Sequence, residues 1–436
     1  MKANLKTLGA AAASAALVLA LAAGCSSSTT TGSGSAEFKA ALDTSQEITL
    51  KVVGDYSNFE ALETQFDEFN KIYPNVHLSY TKVDNYNTGI VEALNATDDA
   101  PDLYMMGDFM FTNSKFSANV AMAEDLTKTD VKLDAVDSSL IYTASDGSVP
   151  AVPLIGASYG MVVNEDLLAK YGLSMPTTYS ELINCCKKLQ ENGIAAPIQG
   201  SDTSGSGLYV DFAINHAYTK LANDSAALAK IKNGESGAGE ALRTDLEEVA
   251  TLVASGYVNH ETNEASKDAY NNQILTFFNG DVPFTFVTTD TASGMAKREK
   301  QSEAFQANPF KYSFYAVPCS DDGTYVYEYA VRTLAVNKNS AHIDYANEFM
   351  RFIAQESTLD AINNDKGTPS VTGNTADSTL YTSLAKVDEK HTSQVNDISL
   401  SDAQMTAIRT AFMSVGNGTS VDEAIATLDA ALAEAK

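Results

Sequence analysis

The sequence predicts an α/β fold from three observations. Near the start of the chain, stretches with a two-residue apolar period alternate with stretches of helical period, in the order β-α-β-α-β. A length of 436 residues suits roughly two or three domains. Apolar residues make up 44%, enough for sizeable cores and too many for a disordered chain.

The elements follow in order. Ile48 to Val53 reads as a strand that stops at Gly54-Asp55-Tyr56. Phe59, Leu62, Phe66 and Phe69 then recur at helical spacing, a core stripe that closes at Tyr73-Pro74 because proline cannot continue a helix. Val76 to Thr81 alternates as a second strand, and a helix near Asn87 to Ala96 leads to Ala100-Pro101-Asp102. Leu103 to Met106 is a third strand, ending at Gly107-Asp108. That order implies parallel strands joined by right-handed crossovers. Met161 to Val163 is a strand, Thr178 to Gln190 a helix opened by a Thr178-Tyr179-Ser180-Glu181 capping box, and Ala196 to Gln199 another strand. Helices are expected at Tyr209 to Leu221, Gly239 to Ala254 and Lys267 to Phe278. Val282 to Val287, Tyr312 to Val317 and Arg332 to Val336 read as strands. Helices over Ile343 to Gln355, Ser401 to Val415 and Val421 to Ala433 complete the chain. There is no sequence repeat, so this is not a solenoid.

Charge narrows the function. Lys and Arg number 29 against 56 Asp and Glu, a net −27. So acidic a surface repels phosphate backbones and anionic headgroups, which disfavours nucleic-acid partners and basic-patch membrane binding. Tryptophan is absent, so an aromatic ligand platform must come from the 20 Tyr and 18 Phe.

The amino-terminal segment is legible in its own right. Lys2 and Lys6 precede an apolar run from Leu8 to Ala23, about 16 residues, short for a membrane span and suited to a signal sequence (residues 1–24). Its removal takes the net charge from −27 to about −29. Ala22-Ala23-Gly24-Cys25 resembles the lipobox of bacterial lipoproteins, with Ala22 where leucine is usual; the resemblance implies lipid attachment at Cys25. Ser26 to Ser35 contains only Ser, Thr and Gly, and residues 25–45 read as a flexible tether. No later stretch approaches the length of a membrane-spanning helix, so the membrane is reached through the lipid alone. Cys185, Cys186 and Cys319 remain, an odd number that reads as structural thiols, with a bridge from Cys319 to either partner left open. The five histidines are scattered and give no zinc-ligand spacing, and no cofactor motif occurs.

Four stretches together resemble the extracellular solute-binding proteins of ABC importers, the group that takes sugars and oligosaccharides. They are Tyr73-Pro74-Asn75-Val76-His77-Leu78; Ala100-Pro101-Asp102-Leu103-Tyr104; Val149-Pro150 through Tyr159-Gly160-Met161-Val162-Val163-Asn164 to Tyr171-Gly172-Leu173-Ser174-Met175-Pro176-Thr177-Thr178-Tyr179-Ser180-Glu181-Leu182; and Phe277-Phe278-Asn279-Gly280 with Asn337 to Phe352 and Gly367-Thr368-Pro369. Tyr179 stands where the family usually has tryptophan. The resemblance implies a two-lobe periplasmic-binding-protein-like fold, each lobe a mixed, mostly parallel sheet flanked by helices, with three hinge crossings. The expected lobes are 46–155 with 284–329, and 157–283 with 330–436. It also implies a monomeric binding protein that delivers a carbohydrate to permease subunits.

Ligand residues are then sought where strands end and lobes cross, because ligands sit beyond the carboxyl ends of parallel strands and between domains. Sugars pair apolar ring faces with dense hydroxyls, so their sites combine aromatics with planar polar groups. The candidates are Asp55, Tyr56 and Asn58 after the first strand, Asp108 and Phe109 after the third, Tyr159, Tyr209, Asp290 and Arg332. Asp55 and Asp108 suit helix caps equally well, Tyr159 and Tyr209 suit packing, and Arg332 suits a surface ion pair. Two other readings stay open: the same fold with a non-sugar solute, and an exported hydrolase. Gly156-Ala157-Ser158-Tyr159-Gly160 matches the hydrolase elbow G-x-S-x-G, but that motif needs a strand, a sharp turn and a helix, whereas Met161 to Val163 reads as strand.

Overall fold

The computed structural model describes residues 38–436, apart from 43–44, 57–58, 85, 97–98, 113, 145, 201, 204–205, 260–268, 375–378, 382 and 436. Cys25, the signal segment, most of the tether and Asn58 therefore lie outside the described residues. No helix among the described residues is long and apolar enough to cross a membrane.

Ile48, Leu50 and Val52, alternating with Thr49 and Lys51, make β1 (Ile48–Gly54), which pairs in parallel with β2 (Val76–Lys82) and β3 (Leu103–Met106). The crossovers are α1 (Glu60–Ile72) and α2 (Tyr86–Leu94), as the periodicity predicts. The stripe on α1 buries Leu62, Phe66 and Phe69, with Phe69 edge-on to Phe349 at 5.2 Å. Beyond β3 comes β4 (Val152–Asn164), a 13-residue strand buried along its whole length. This strand runs straight through the G-x-S-x-G stretch, so Ser158 sits in extended backbone, not on a strand-to-helix elbow.

The next elements are α3 (Tyr179–Glu191), β5 (Ile198–Gly200), α4 (Leu208–Asn223), α5 (Arg243–Ser255), β6 (Val258–Asn259), α6 (Ala269–Phe277), β7 (Phe284–Thr288) and α7 (Thr289–Ser293). After them come β8 (Tyr312–Tyr315), β9 (Val317–Ser320), β10 (Gly323–Val336), α8 (Ile343–Ile353), α9 (Glu356–Lys366), β11 (Thr392–Gln394), α10 (Asp402–Gly416) and α11 (Val421–Glu434). The strand order is β2-β1-β3-β10-β4-β7-β5-β6. The two flanks are parallel, and β4 and β10 lie between them, antiparallel to each other. The pairing of β10 with β4 shifts register between Ala330 and Arg332 and again before Thr333.

Two large buried clusters sit on this sheet. One holds Leu50 to Ile155 together with Leu334 to Val371. The other holds Ala157 to Phe286 together with Val317 to Tyr329 and Ile398 to Leu432. A smaller cluster groups Phe277, Phe278, Phe305 and Phe314. This differs from the expected lobes: much of 284–329 packs with the second core, and 334–371 with the first. The reason is topological. β7 joins the parallel ladder of β5, with Ile198 opposite Phe284, and β10 continues unbroken from one core into the other.

Local details differ too. Residues 38–42 were expected in the tether, yet Phe38 stacks edge-on to Phe352 at 5.6 Å and Ala41 N–H donates to Tyr73 Oη at 2.8 Å. Thr178 caps α3 through the Glu181 N–H, but the Glu181 carboxylate accepts from Thr177 N–H at 2.8 Å, so the box closes one residue early. Cys185, Cys186 and Cys319 are buried and free, with burial pushing each thiol pKa up.

Candidate functional site

The sequence-predicted residues fall into two neighbouring groups. In the first, the turn after β1 presents Asp55 and Tyr56 to Arg332 of β10. Arg332 Nε and Nη2 donate to the two Asp55 carboxylate oxygens at 3.1 and 2.7 Å, a bidentate pair, and Nη1 donates to the Val331 carbonyl at 2.7 Å. The guanidinium lies 4.9 Å from the Tyr56 ring centre, and Lys366 Nζ also lies 4.9 Å from it. Lys366 is 3.3 Å from Asp290, whose carboxylate accepts from Tyr56 Oη at 3.5 Å. Burial, with Asp290 adding, raises the Tyr56 pKa, so this hydroxyl stays a donor. Asp55, Tyr56, Asp290 and Arg332 thus come together and satisfy one another. Two cations lie over the Tyr56 ring, and among the described residues Asp55 caps no helix.

The second group surrounds Tyr159 on β4. Its ring stacks on Tyr329 at 5.3 Å and lies near-parallel to Tyr327 at 6.4 Å, and Tyr218 of α4 meets Tyr327 edge-on at 5.0 Å. Arg409 of α10 interacts electrostatically with Tyr159, Tyr218, Asp108 and Tyr327; these hold its pKa above the usual value, Tyr159 foremost, against the cost of burial. Burial pushes the Tyr159 hydroxyl up to about 12, with Arg409 pulling the other way. Asp211, in the first turn of α4, is pushed up to about 7 by burial, again opposed by Arg409. Among the described residues, Asp211 Oδ1 and Arg409 Nε have no hydrogen-bond partner. Buried polar atoms are costly to leave unpaired, so each of these two has capacity for a further hydrogen-bond partner.

Asp108 connects this cluster to open space. It borders a cavity of about 390 Å³, lined by Phe111 and Tyr142 from the first core's side, Ala330 and Thr333 of β10, and Asn396 and Ser401 from the second. Phe111 and Tyr142 stack face to face, 4.5 Å apart and 15° from parallel. A second cavity of about 370 Å³, lined by Ser158, Glu328, Tyr329 and Gln394, shares Leu140 with it. Sites of this size, walled from two sides with a few convergent polar groups, suit small-molecule binding.

Tyr209 lies in the same buried cluster as Tyr159, Tyr218, Tyr327 and Tyr329. It is 3% exposed and lies in the second core, so close to α10 that a Cβ on Gly416 would meet its ring at 2.2 Å. The α4 helix turns it into the core, where it packs against α10. Phe109 opens a short helix after β3. The sequence reading missed Asp211, Arg409, Tyr327, Tyr329 and Lys366. Signals for the first four exist: Asp211 is the sole acid of α4, Arg409 the sole base of α10, and Tyr325, Tyr327 and Tyr329 recur at the strand period.

A family model of bacterial extracellular solute-binding proteins matches residues 54–358. The chain belongs to that family. Solved structures similar to this solute-binding protein have low sequence identity and share its fold. A family 1 extracellular solute-binding protein from Bifidobacterium longum subsp. infantis is 16% identical, covers 89% of this chain and 100% of its own, and has a TM-score of 0.66. The GacH receptor of Streptomyces glaucescens, solved unliganded and with acarbose, is 19% identical over 89% of this chain and 98% of its own, with a TM-score of 0.65. A sugar transporter of Bacillus licheniformis, in complex with stachyose, is 18% identical over 89% and 100%, with a TM-score of 0.60. The comparison with curated proteins found no match.

Proposed function

We propose that this solute-binding protein is lipid-anchored through Cys25 on the outer face of a bacterial cell membrane, captures an oligosaccharide between its two cores, and delivers it to ABC permease subunits. The observation that carries the sugar reading is the cleft. A stacked aromatic pair and Asp108 line it, and the tyrosine cluster behind it holds Asp211 and Arg409 with polar atoms unspent. Hydroxyls both donate and accept, so a sugar can serve a carboxylate and a guanidinium together, while aromatic faces take the apolar side of the ring. Acarbose and stachyose, bound by two fold relatives, support that class. The lobes we assign are 38–155 with 334–371, and 157–329 with 398–432, moving as units about the chain passages between them.

A thermal-shift screen of the full chain against oligosaccharides, peptides and polyamines tests the reading, because ligand raises apparent stability as RT ln(1 + [L]/Kd). At least one oligosaccharide should raise Tm and bind one to one by calorimetry without being consumed. Stabilisation by peptides or polyamines alone would refute the sugar assignment, and turnover would refute a pure binding role. Mass spectrometry of the amino-terminal peptide from a lipoprotein-processing host should find a diacylated Cys25.

A further inference from the structure

Helix α4 carries a second cluster on its other side. While Asp211 and Tyr218 belong to the tyrosine group, His216 and Lys220 face α5, where Asp245 and Glu248 lie three residues apart on one face. One donor atom from each of His216, Asp245 and Glu248 lies within 4.8 Å of the other two. His216 Nδ1 is 2.6 Å from Asp245 Oδ1. Asp245 is 1% exposed, and its Oδ2 has no hydrogen bond among the described residues. The nearest cation to it, Lys220 Nζ, is 3.8 Å away on a side chain that is 38% exposed. A buried carboxylate oxygen without a donor is costly, and a cation is what removes that cost.

We propose that His216, Asp245 and Glu248 form a binding site for a divalent transition-metal ion, with Zn²⁺ the best fit. One imidazole and two carboxylates leave a fourth tetrahedral position for water. Bonds of about 2.0–2.2 Å place ligand atoms roughly 3.3–3.6 Å apart, so side-chain shifts of about 1 Å complete the site. Mg²⁺ and Ca²⁺ fit poorly, since both prefer oxygen-only shells with more ligands. Two packed helices supply the donors, and 29 residues separate His216 from Asp245, which is why spacing along the chain gave no metal signal. Lys220 competes with the ion for Asp245. A bound ion ties α4 to α5, and α4 is the helix that carries Asp211 on its other side.

Titration calorimetry of the chelator-stripped full chain with Zn²⁺ tests this. One ion should bind per chain and raise Tm by at least about 2 °C, with no comparable effect from Mg²⁺. Glu248→Gln and His216→Ala should each weaken binding by at least about tenfold, and Lys220→Met should strengthen it. Glu248 is only partly buried, so Glu248→Gln keeps the test alive if His216→Ala fails to fold. Absence of heat and of any Tm change in the unmutated chain overturns the proposal. Equal Zn²⁺ affinity in the unmutated chain and Glu248→Gln also overturns it, placing the ion elsewhere on the acidic surface.

Discussion

Arg332 and Arg409 are both partly buried arginines beside tyrosines, and their surroundings differ in one respect. Arg332 spends its donors within the protein: two on Asp55, one on the Val331 carbonyl, its face on Tyr56. Arg409 has Asp108 and Asp211 in its electrostatic surroundings, yet among the described residues its Nε has no hydrogen-bond partner, and neither has Asp211 Oδ1. A network that closes on itself fixes geometry. One that leaves charged-group donors and acceptors open keeps hydrogen-bonding capacity that water-excluded polar atoms gain most from filling.

The comparison breaks most easily at Arg409. Arg409→Ala should weaken oligosaccharide binding about 10- to 150-fold by calorimetry, the range for a hydrogen bond to a charged group. An unchanged affinity would move the site away from α10. The next largest effect is on pH dependence. The Asp211 pKa is raised in the folded state to about 7 from 3.8, so the folded protein favours the protonated acid. Its contribution to stability is full below the unfolded pKa and is lost as pH rises through about 7. Melting curves of the unliganded chain and of Asp211→Asn, taken from pH 4 to 8, should therefore converge at low pH, with the variant relatively more stable at the high end. Parallel curves would show that Asp211 is already compensated. Arg332→Ala should do the reverse of Arg409→Ala: unfolding in denaturant should show a loss of about 1–2 kcal/mol from the broken bidentate pair, with sugar affinity held within about threefold. A large affinity loss there would erase the distinction between the two groups. Smallest of all, Lys366→Met should cost about 0.5–1 kcal/mol, since its pair with Asp290 is partly solvated.

Much of the fold was legible because the first half of the sheet obeys simple periods. Ile48, Leu50 and Val52 alternate with polar residues in β1, and Leu62, Phe66 and Phe69 recur at the spacing of a helix face. The division into two buried clusters was not legible, for a specific reason. β10 reads Gly323-Thr-Tyr-Val-Tyr-Glu-Tyr-Ala-Val-Arg-Thr-Leu-Ala-Val336 with no glycine or proline inside it, so nothing in the string marks where it leaves one core for the other. Strand-end reasoning found Asp55 and Arg332, but residues 277 apart in sequence carry no sign that they pair with each other. Arg409 and Asp211 lay inside helices, away from the strand ends being searched, and only their charge in apolar surroundings set them apart.

The paired strands β4 and β10 have a mechanical consequence. Both continue from one core into the other, side by side and hydrogen-bonded, so a two-ply ribbon links the cores. A ribbon of this kind resists stretching and bending in its own plane but yields to twist, and it yields first where its ladder is already interrupted. The interruptions lie between Ala330 and Thr333, against Pro153 to Gly156, and Arg332 sits between them. Twist is therefore the deformation this ribbon takes up most readily, at the place where Arg332 pairs with Asp55.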